Sequence, residues 1–239
     1  CWIHNEVIGE DDTDFIITTY KDNEALPQSI VDELESAREK GKTSEYWANY
    51  WRVYGLGQVG ALQGACIPDW KSIDKLPEGT RVLCYGMDFG YTNDPSSCVA
   101  LYKWNNAYIL DEVFYKKGML NSDISKELNN NDITEMVWAD SAEPKSIAEL
   151  KSYGHLIEPV SKGRDSIIYG INLMNQNEIY VTKQSTNLIK ELRSYTWAKD
   201  REGNTLNKPI DKWNHAIDAI RYAVMMQLEN PHKGSYNIW

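Results

Sequence analysis

The sequence predicts an α/β protein built on one mixed central sheet with helices on its faces. Residues 82–88, 98–102 and 108–114 are apolar, strand-like runs joined by turns, which is the pattern of an antiparallel meander. From residue 122 onward, helical segments alternate with short apolar runs, the pattern of helices crossing over a partly parallel sheet. Two of the apolar runs end on an aspartate, so polar groups are expected above one end of the sheet.

The elements follow in order. Phe15 to Tyr20 reads as a short strand. Pro27 to Glu39 reads as a helix, with Ile30, Leu34 and Ala37 on one face and Pro27 near its start. Ser44 to Val53 is aromatic and helical, and the glycines at 55, 57 and 60 punctuate the chain after it. Residues 65–80 show little periodicity and read as a linker. The expected division is therefore 1–80, a preceding region and its linker, and 81–239, the sheet domain. Within 81–239, Val82 to Asp88 is apolar on both sides and reads as a central strand. Asn105-Asn106 is a tight turn between the next two strands. Helices are expected over 122–128, 144–153, 166–174 and 186–195, and strands over 135–139, 157–160 and 178–181. A hairpin around Glu202-Gly203-Asn204 precedes a last helix running from about Lys212 to Leu228.

Composition is that of an ordinary globular protein, with 42% hydrophobic and 25% charged residues. The net charge of -10 argues against a non-specific nucleic-acid coat. Most of the acidic excess lies in residues 1–80, so a local basic rim elsewhere remains open to a polyanion. Cys1, Cys66, Cys84 and Cys98 form no CxxC pair, and Cys84 and Cys98 read as buried thiols suited to a reducing compartment. No apolar stretch approaches the ~18 residues of a membrane span, and the first residues do not resemble a signal peptide. A start at Cys1 implies a trimmed chain or an internal fragment.

Three carboxylates carry the chemistry. Asp88 ends the run Val82-Leu83-Cys84-Tyr85-Gly86-Met87, and Asp140 ends Met136-Val137-Trp138-Ala139. Asp211, His215 and Asp218 stand at i, i+4 and i+7 of the expected last helix, opposite an apolar face of Trp213, Ile217, Ile220 and Val224. Hard oxygen ligands from distant parts of the chain suit Mg²⁺ or Mn²⁺, and a pair of such ions suits phosphodiester cleavage. Read singly, Asp88 is equally a turn cap and Asp140 a helix cap. Glu112 and Asp211 are the accessory acids. His215 is a candidate to ligate a metal, orient Asp218 or touch the scissile phosphate, and the sequence does not choose. Lys162, Arg164, Lys199 and Arg201 are the candidate contacts to DNA phosphates; a solvated face is the plainer reading of each. Glu39-Lys40-Gly41-Lys42-Thr43 ends like a phosphate loop, but position 36 is Ser36 and no apolar strand leads in, so that match is accidental.

The strings Tyr85-Gly86-Met87-Asp88-Phe89-Gly90-Tyr91, Trp138-Ala139-Asp140-Ser141-Ala142-Glu143-Pro144 and Asn214-His215-Ala216-Ile217-Asp218-Ala219-Ile220-Arg221-Tyr222 resemble, in this order, the C-terminal nuclease part of the large terminase subunit of tailed double-stranded DNA phages. Thr19-Tyr20-Lys21-Asp22-Asn23 and Gly64-Ala65-Cys66-Ile67-Pro68 resemble the end of that family's ATPase part and its linker. The resemblance implies a ribonuclease-H-like fold and a metal-dependent endonuclease that cuts concatemeric viral DNA into packaged units. It implies Asp88, Asp140 and Asp218 as the metal-binding acids for Mg²⁺ or Mn²⁺, with two ions, and His215 beside them. The implied partners are double-stranded DNA and, in the complete protein, an ATPase domain, the small terminase subunit and the portal. The implied location is the host cytoplasm, transiently at the procapsid portal, with no membrane. Two readings from other classes compete: an actin-like or sugar-kinase-like phosphotransferase, which needs a second phosphate hairpin that is not visible, and a non-catalytic docking domain, which leaves three convergent acids without a role.

Overall fold

The computed structural model describes residues 17–58, 64–163, 165–203 and 205–228. The chain divides into two compact units, residues 1–63 with 199–205, and residues 64–198 with 206–239.

In the smaller unit, helix α1 (Gln28–Lys40) is followed by α2 (Glu45–Tyr50), which continues into a π-helical turn, Trp51–Gly55. Leu34 and Ala37 are buried as the helical periodicity predicts, but Ile30 is exposed. Ala37 packs with Trp47 and Tyr50. The strand expected over 15–20 is not found among its described residues. Tyr20–Asp22 is instead a 3₁₀ turn, with the Thr19 side chain and the Asp22 carboxylate capping each other's backbone. Phe15 and Ile16 lie outside the described residues.

The larger unit is built on a seven-stranded sheet. Its strands are β1 (Trp70–Ile73), β2 (Arg81–Asp88), β3 (Ser96–Trp104), β4 (Ala107–Lys116), β5 (Val137–Ala139), β6 (Ile157–Pro159) and β7 (Ile179–Thr182), in the order β1-β7-β4-β3-β2-β5-β6. β2, β3 and β4 pair antiparallel, the predicted meander, while β5, β6, β7 and β1 join in parallel. The connecting helices are α3 (Asn121–Asn130), α4 (Pro144–Ser152), α5 (Ser166–Asn175) and α6 (Thr186–Ser194), and α7 (His215–Leu228) closes the unit. β8 (Trp197–Lys199) and β9 (Thr205–Pro209) form the predicted hairpin. No helix among the described residues is long and apolar enough to cross a membrane.

β1 is the first departure from expectation. Residues 70–73 fall in the stretch whose weak periodicity reads as a linker, yet they hydrogen-bond along β7 as an edge strand of the same sheet. A four-residue edge strand has no alternation to read, and its partner lies more than a hundred residues later. The boundary expected at 80/81 therefore falls inside the larger unit, which begins at Gly64.

Alternation along β2 divides the unit into two faces. Tyr85 and Met87 enter a core with Phe114, Met119, Ile124, Leu128, Val137, Ile147 and Leu150, which is the side covered by α3 and α4. Cys84, Gly86 and Asp88 face α7. The approach there is very close: a Cβ on Gly86 would lie 1.7 Å from the carbonyl oxygen of Ala219. Only a glycine permits the helix backbone to rest on the strand at this height. The contact sets the level of α7, and with it the side chains at its N-terminal end, beside the end of β2. α7 also contacts β3, β5, α5 and α6. That explains why residues 216, 217, 219, 220 and 222–225 are all buried and the helix carries almost no solvent face. Cys66, Cys84 and Cys98 are free and buried.

Candidate active site

The site lies at one end of the central strands. β2 and β5 run parallel as neighbours, so their last residues emerge side by side. Asp88 ends β2, and Asp140 follows β5 directly, its amide donating to the Met87 carbonyl at 3.3 Å. Asp218 comes from the first turn of α7. Asp88, Asp140 and Asp218 lie near enough for their charges to act on one another. Burial pushes the Asp88 carboxyl up to about 6, and the charges of Asp218 and Asp140 add to that, against a hydrogen bond from His215. Asp218 is also raised, first by burial, with Asp140 adding and Arg221 and Lys162 opposing. Asp140 ends below the usual carboxylate range. Burial alone would raise it, but the Lys162 ammonium, the Ala142 amide and the Tyr222 hydroxyl together outweigh burial.

Each carboxylate has its own set of partners. Asp88 Oδ2 meets His215 Nδ1 at 3.2 Å, and the other ring nitrogen lies 3.4 Å from Asp94 Oδ1. Asp140 Oδ1 accepts from Lys162 Nζ at 2.5 Å and from the Ala142 amide at 2.8 Å, while its Oδ2 accepts from the Tyr222 hydroxyl at 3.1 Å. Asp218 Oδ1 accepts from Arg221 Nη2 at 2.9 Å and Nε at 3.2 Å, and its Oδ2 accepts from Asn214 Nδ2 at 3.1 Å. His215 has a raised pKa, first because of the hydrogen bond to Asp88, with the charges of Asp88, Glu191 and Asp94 also favouring its cation against burial. Among the described residues, no three His, Cys, Asp or Glu side chains stand around one point ready to hold a metal ion. The oxygens that would do so are turned to Lys162, Arg221 and His215. The donor set is still of the kind a hard divalent cation takes: Asp88 and Asp140 stand at neighbouring strand ends, with Asp218 in the first turn of α7, and all three offer carboxylate oxygens.

The start of α7 is held by an acid that the sequence reading passed over. Glu191 of α6 is 3% exposed. Its carboxylate accepts from the backbone amides of His215 (3.2 Å), Ala216 (2.7 Å) and Ile217 (3.1 Å), and from the Tyr115 hydroxyl (2.7 Å). A carboxylate on the unsatisfied amides of a helix N-terminus neutralises them and complements the helix dipole. A signal existed: Leu188, Glu191 and Leu192 are three and four residues apart, which places the one acid on the apolar face of α6.

Other expectations are corrected. Glu112 is not with the metal-site acids. Its carboxylate accepts from the Asn187 and Leu188 amides at 2.9 and 2.8 Å and from Asn187 Nδ2 at 2.7 Å, so it caps α6. Asp211 is exposed and precedes α7, which begins at His215 rather than 212. The i, i+4, i+7 face was therefore drawn one turn too far. Trp213, expected on the apolar face, is 65% exposed with a left-handed φ of 50°. Arg221 is 2% exposed and paired with Asp218. The ammonium of Lys162, a candidate contact to DNA phosphates, donates to Asp140 Oδ1. Lys199 ends β8 and Arg201 is exposed in the hairpin turn; both fall in the smaller unit. Arg164 lies outside the described residues.

The sheet order, the antiparallel start and parallel continuation, and the acids at the ends of neighbouring central strands define a ribonuclease-H-like α/β fold. The chain belongs to the terminase RNase H-like domain family, whose model matches residues 88–226. It is 27% identical over 232 residues to the large terminase subunit of Bacillus phage SPP1, covering 93% of this chain and 53% of that protein. The chain thus spans about half the length of that relative. Among solved structures it matches the manganese-bound nuclease domain of the SPP1 large terminase, with a TM-score of 0.60 and 24% identity, over 68% of this chain and 99% of that one. It also matches the large terminase of the thermophilic bacteriophage D6E, with a TM-score of 0.67 and 17% identity, over 88% of this chain and 55% of that one.

Proposed function

We propose that the larger unit, residues 64–198 and 206–228, forms a divalent-metal-dependent endonuclease that cleaves double-stranded, concatemeric viral DNA during genome packaging. The observation that carries this reading is the placement of Asp88 and Asp140 at neighbouring strand ends beside Asp218, in a family of terminase RNase H-like domains. Asp88, Asp140 and Asp218 would hold Mg²⁺ or Mn²⁺, with two ions in the working site. Bound there, the ions supply Lewis-acid stabilisation of the phosphate and an activated water. The manganese in the SPP1 nuclease domain supports this choice of ion.

The chain's own residues divide the remaining work. Asp88, with a pKa pushed up to about 6, is partly protonated when no cation is near, and a bound cation would return it to the carboxylate form. His215 holds Asp88 in place through Nδ1 and turns Nε2 towards Asp94. Arg221 fixes the rotamer of Asp218 with two N–H donors. Lys199 and Arg201 are proposed contacts to DNA phosphates. Residues 1–63 are proposed as the end of the ATPase region. The partners of the complete protein are proposed as its ATPase domain, the small terminase subunit and the portal, in the host cytoplasm and at the procapsid.

The test is a plasmid cleavage assay on the purified chain. Supercoiled DNA is expected to be nicked or linearised with Mn²⁺ or Mg²⁺ and left intact in EDTA. Asp218→Ala is expected to abolish cleavage. Cleavage that persists in EDTA, or an active and folded Asp218→Ala protein, overturns the reading.

A further inference from the structure

The two cations beside the carboxylates are built differently. Arg221 is 2% exposed and its stem lies on a bare glycine, since a Cβ on Gly170 would come within 2.2 Å of Arg221 Cγ. Its guanidinium donates twice to Asp218 and once towards the sulfur of Met225 at 3.7 Å. No rotamer change can remove it without unpacking α5 from α7. Lys162 sits in the coil between β6 and α5 on a flexible stem, with a side chain 28% exposed. Its ammonium donates to Asp140 Oδ1 at 2.5 Å and to the Tyr222 hydroxyl at 3.0 Å, and lies 4.5 Å from the Tyr222 ring centre. Tyr222 in turn donates to the other oxygen of Asp140. The Lys162–Tyr222–Asp140 triangle thus uses both oxygens of Asp140.

We infer that Lys162 is a tethered counter-ion of the metal-free site, which occupies Asp140 and must be displaced before a divalent cation can bind there. The inference rests on the metal-site reading above. A lysine suits the role because an ammonium is a compact point charge on a mobile stem, whereas a guanidinium holds its partner in a fixed fork. It keeps three neighbouring carboxylates from facing one another uncompensated, and leaves by bond rotations alone. Two consequences follow. Divalent affinity is lower than the carboxylate count implies, because part of the binding free energy goes into displacing Lys162. The lysine also becomes free only when a metal arrives, so its phosphate-binding N–H groups are presented only by a loaded site.

The experiment is calorimetric titration of the full chain with MnCl₂ at low ionic strength, without DNA, for wild type, Lys162→Met and Lys162→Arg, beside a thermal melt of each. Lys162→Met is expected to bind Mn²⁺ more tightly by roughly five- to tenfold, the effect of removing one positive charge close to the ligands. Lys162→Arg keeps the charge and is expected to stay within about twofold of wild type. Lys162→Gln, which keeps a polar contact without the charge, is the second neutral variant and is expected to behave as Lys162→Met. Wild-type binding with unchanged or weaker affinity in both neutral variants overturns the assignment of Lys162 alone. Absence of Mn²⁺ binding in every protein overturns the metal-site reading and this inference together, so the two failures are distinguishable.

Discussion

The two halves of the site are made from the same residue type under opposite physical conditions. Asp88, under the start of α7, and Asp218, in its first turn, make up the helix-facing half, where burial raises both carboxyls. Asp140 sits in the loop-facing half and is held below the usual carboxylate range by Lys162, the Ala142 amide and Tyr222. Side-chain exposure does not separate Asp140 (19%) from Asp218 (20%); their partners do. The helix-facing half is held by a packed guanidinium, and the loop-facing half by an ammonium on a flexible stem. A site that must accept a highly charged ligand gains from both, because the first supplies the attraction and the second supplies the movement.

The helix-facing half breaks most readily at its foundation. Gly86→Ala drives a methyl into the Ala219 carbonyl, with backbone on both sides, and is expected to destabilise the protein by about 3 kcal/mol or more. Urea unfolding measures it, and a loss below about 1 kcal/mol would mean that α7 is free to lift.

Glu191→Ala comes next. It strips three amides of α7 and the Tyr115 hydroxyl of their acceptor in a buried position, at an expected cost of about 2–4 kcal/mol. Glu191→Gln retains a carbonyl acceptor and is expected to lose less. The same denaturation curves compare the two, and equal losses would show that the negative charge, not the hydrogen bonding, holds the helix start.

Asp88→Asn works in the opposite direction. The folded pKa of Asp88 is raised, so its contribution to stability is present below the unfolded value near 3.8 and is lost as pH rises through about 6. Metal-free Asp88→Asn is therefore expected to be more stable than wild type by about 1–3 kcal/mol at pH 7.5, with the difference vanishing towards pH 4. Chemical denaturation in EDTA at both pH values checks the sign. A variant less stable than wild type at pH 7.5 would show that the His215 hydrogen bond outweighs the burial of charge.

The smallest effect on folding belongs to the loop-facing half. Lys162→Met breaks an ion pair that is partly open to water and is expected to change stability by under about 1 kcal/mol. A thermal melt checks this, and a loss comparable with that of Glu191→Ala would erase the distinction between the halves.

The same distinction governed what the sequence could reveal. Strand-end acids after apolar runs were readable, because a charge at the end of a buried strand needs a reason; Asp88 and Asp140 stood out on that ground. The meander was readable from alternation and the Asn105-Asn106 turn. β1 was not, because edge strands are specified by a distant partner and not by their own pattern. The last helix was extended backward over Asp211 and Trp213 because spacing is blind to a left-handed residue, and Trp213 ends the loop at φ 50°. Glu112 and Glu191 were misjudged or missed for one shared reason: an acid that caps another helix's amides is indistinguishable in sequence from an acid that binds a ligand. Lys162 was singled out as cationic, but its partner carboxylate is 22 residues away and its orientation belongs to the folded state.

The central claim is that Asp88, Asp140 and Asp218 form one cation site whose loop-facing half opens to admit the metal. Anomalous diffraction from crystals of this chain soaked in MnCl₂ tests it directly. The account predicts a manganese peak bound by Asp88, Asp140 and Asp218 oxygens, with the Lys162 ammonium no longer within hydrogen-bond distance of Asp140. A fully soaked crystal with no peak there, or a peak with the Lys162–Asp140 contact intact, would contradict it.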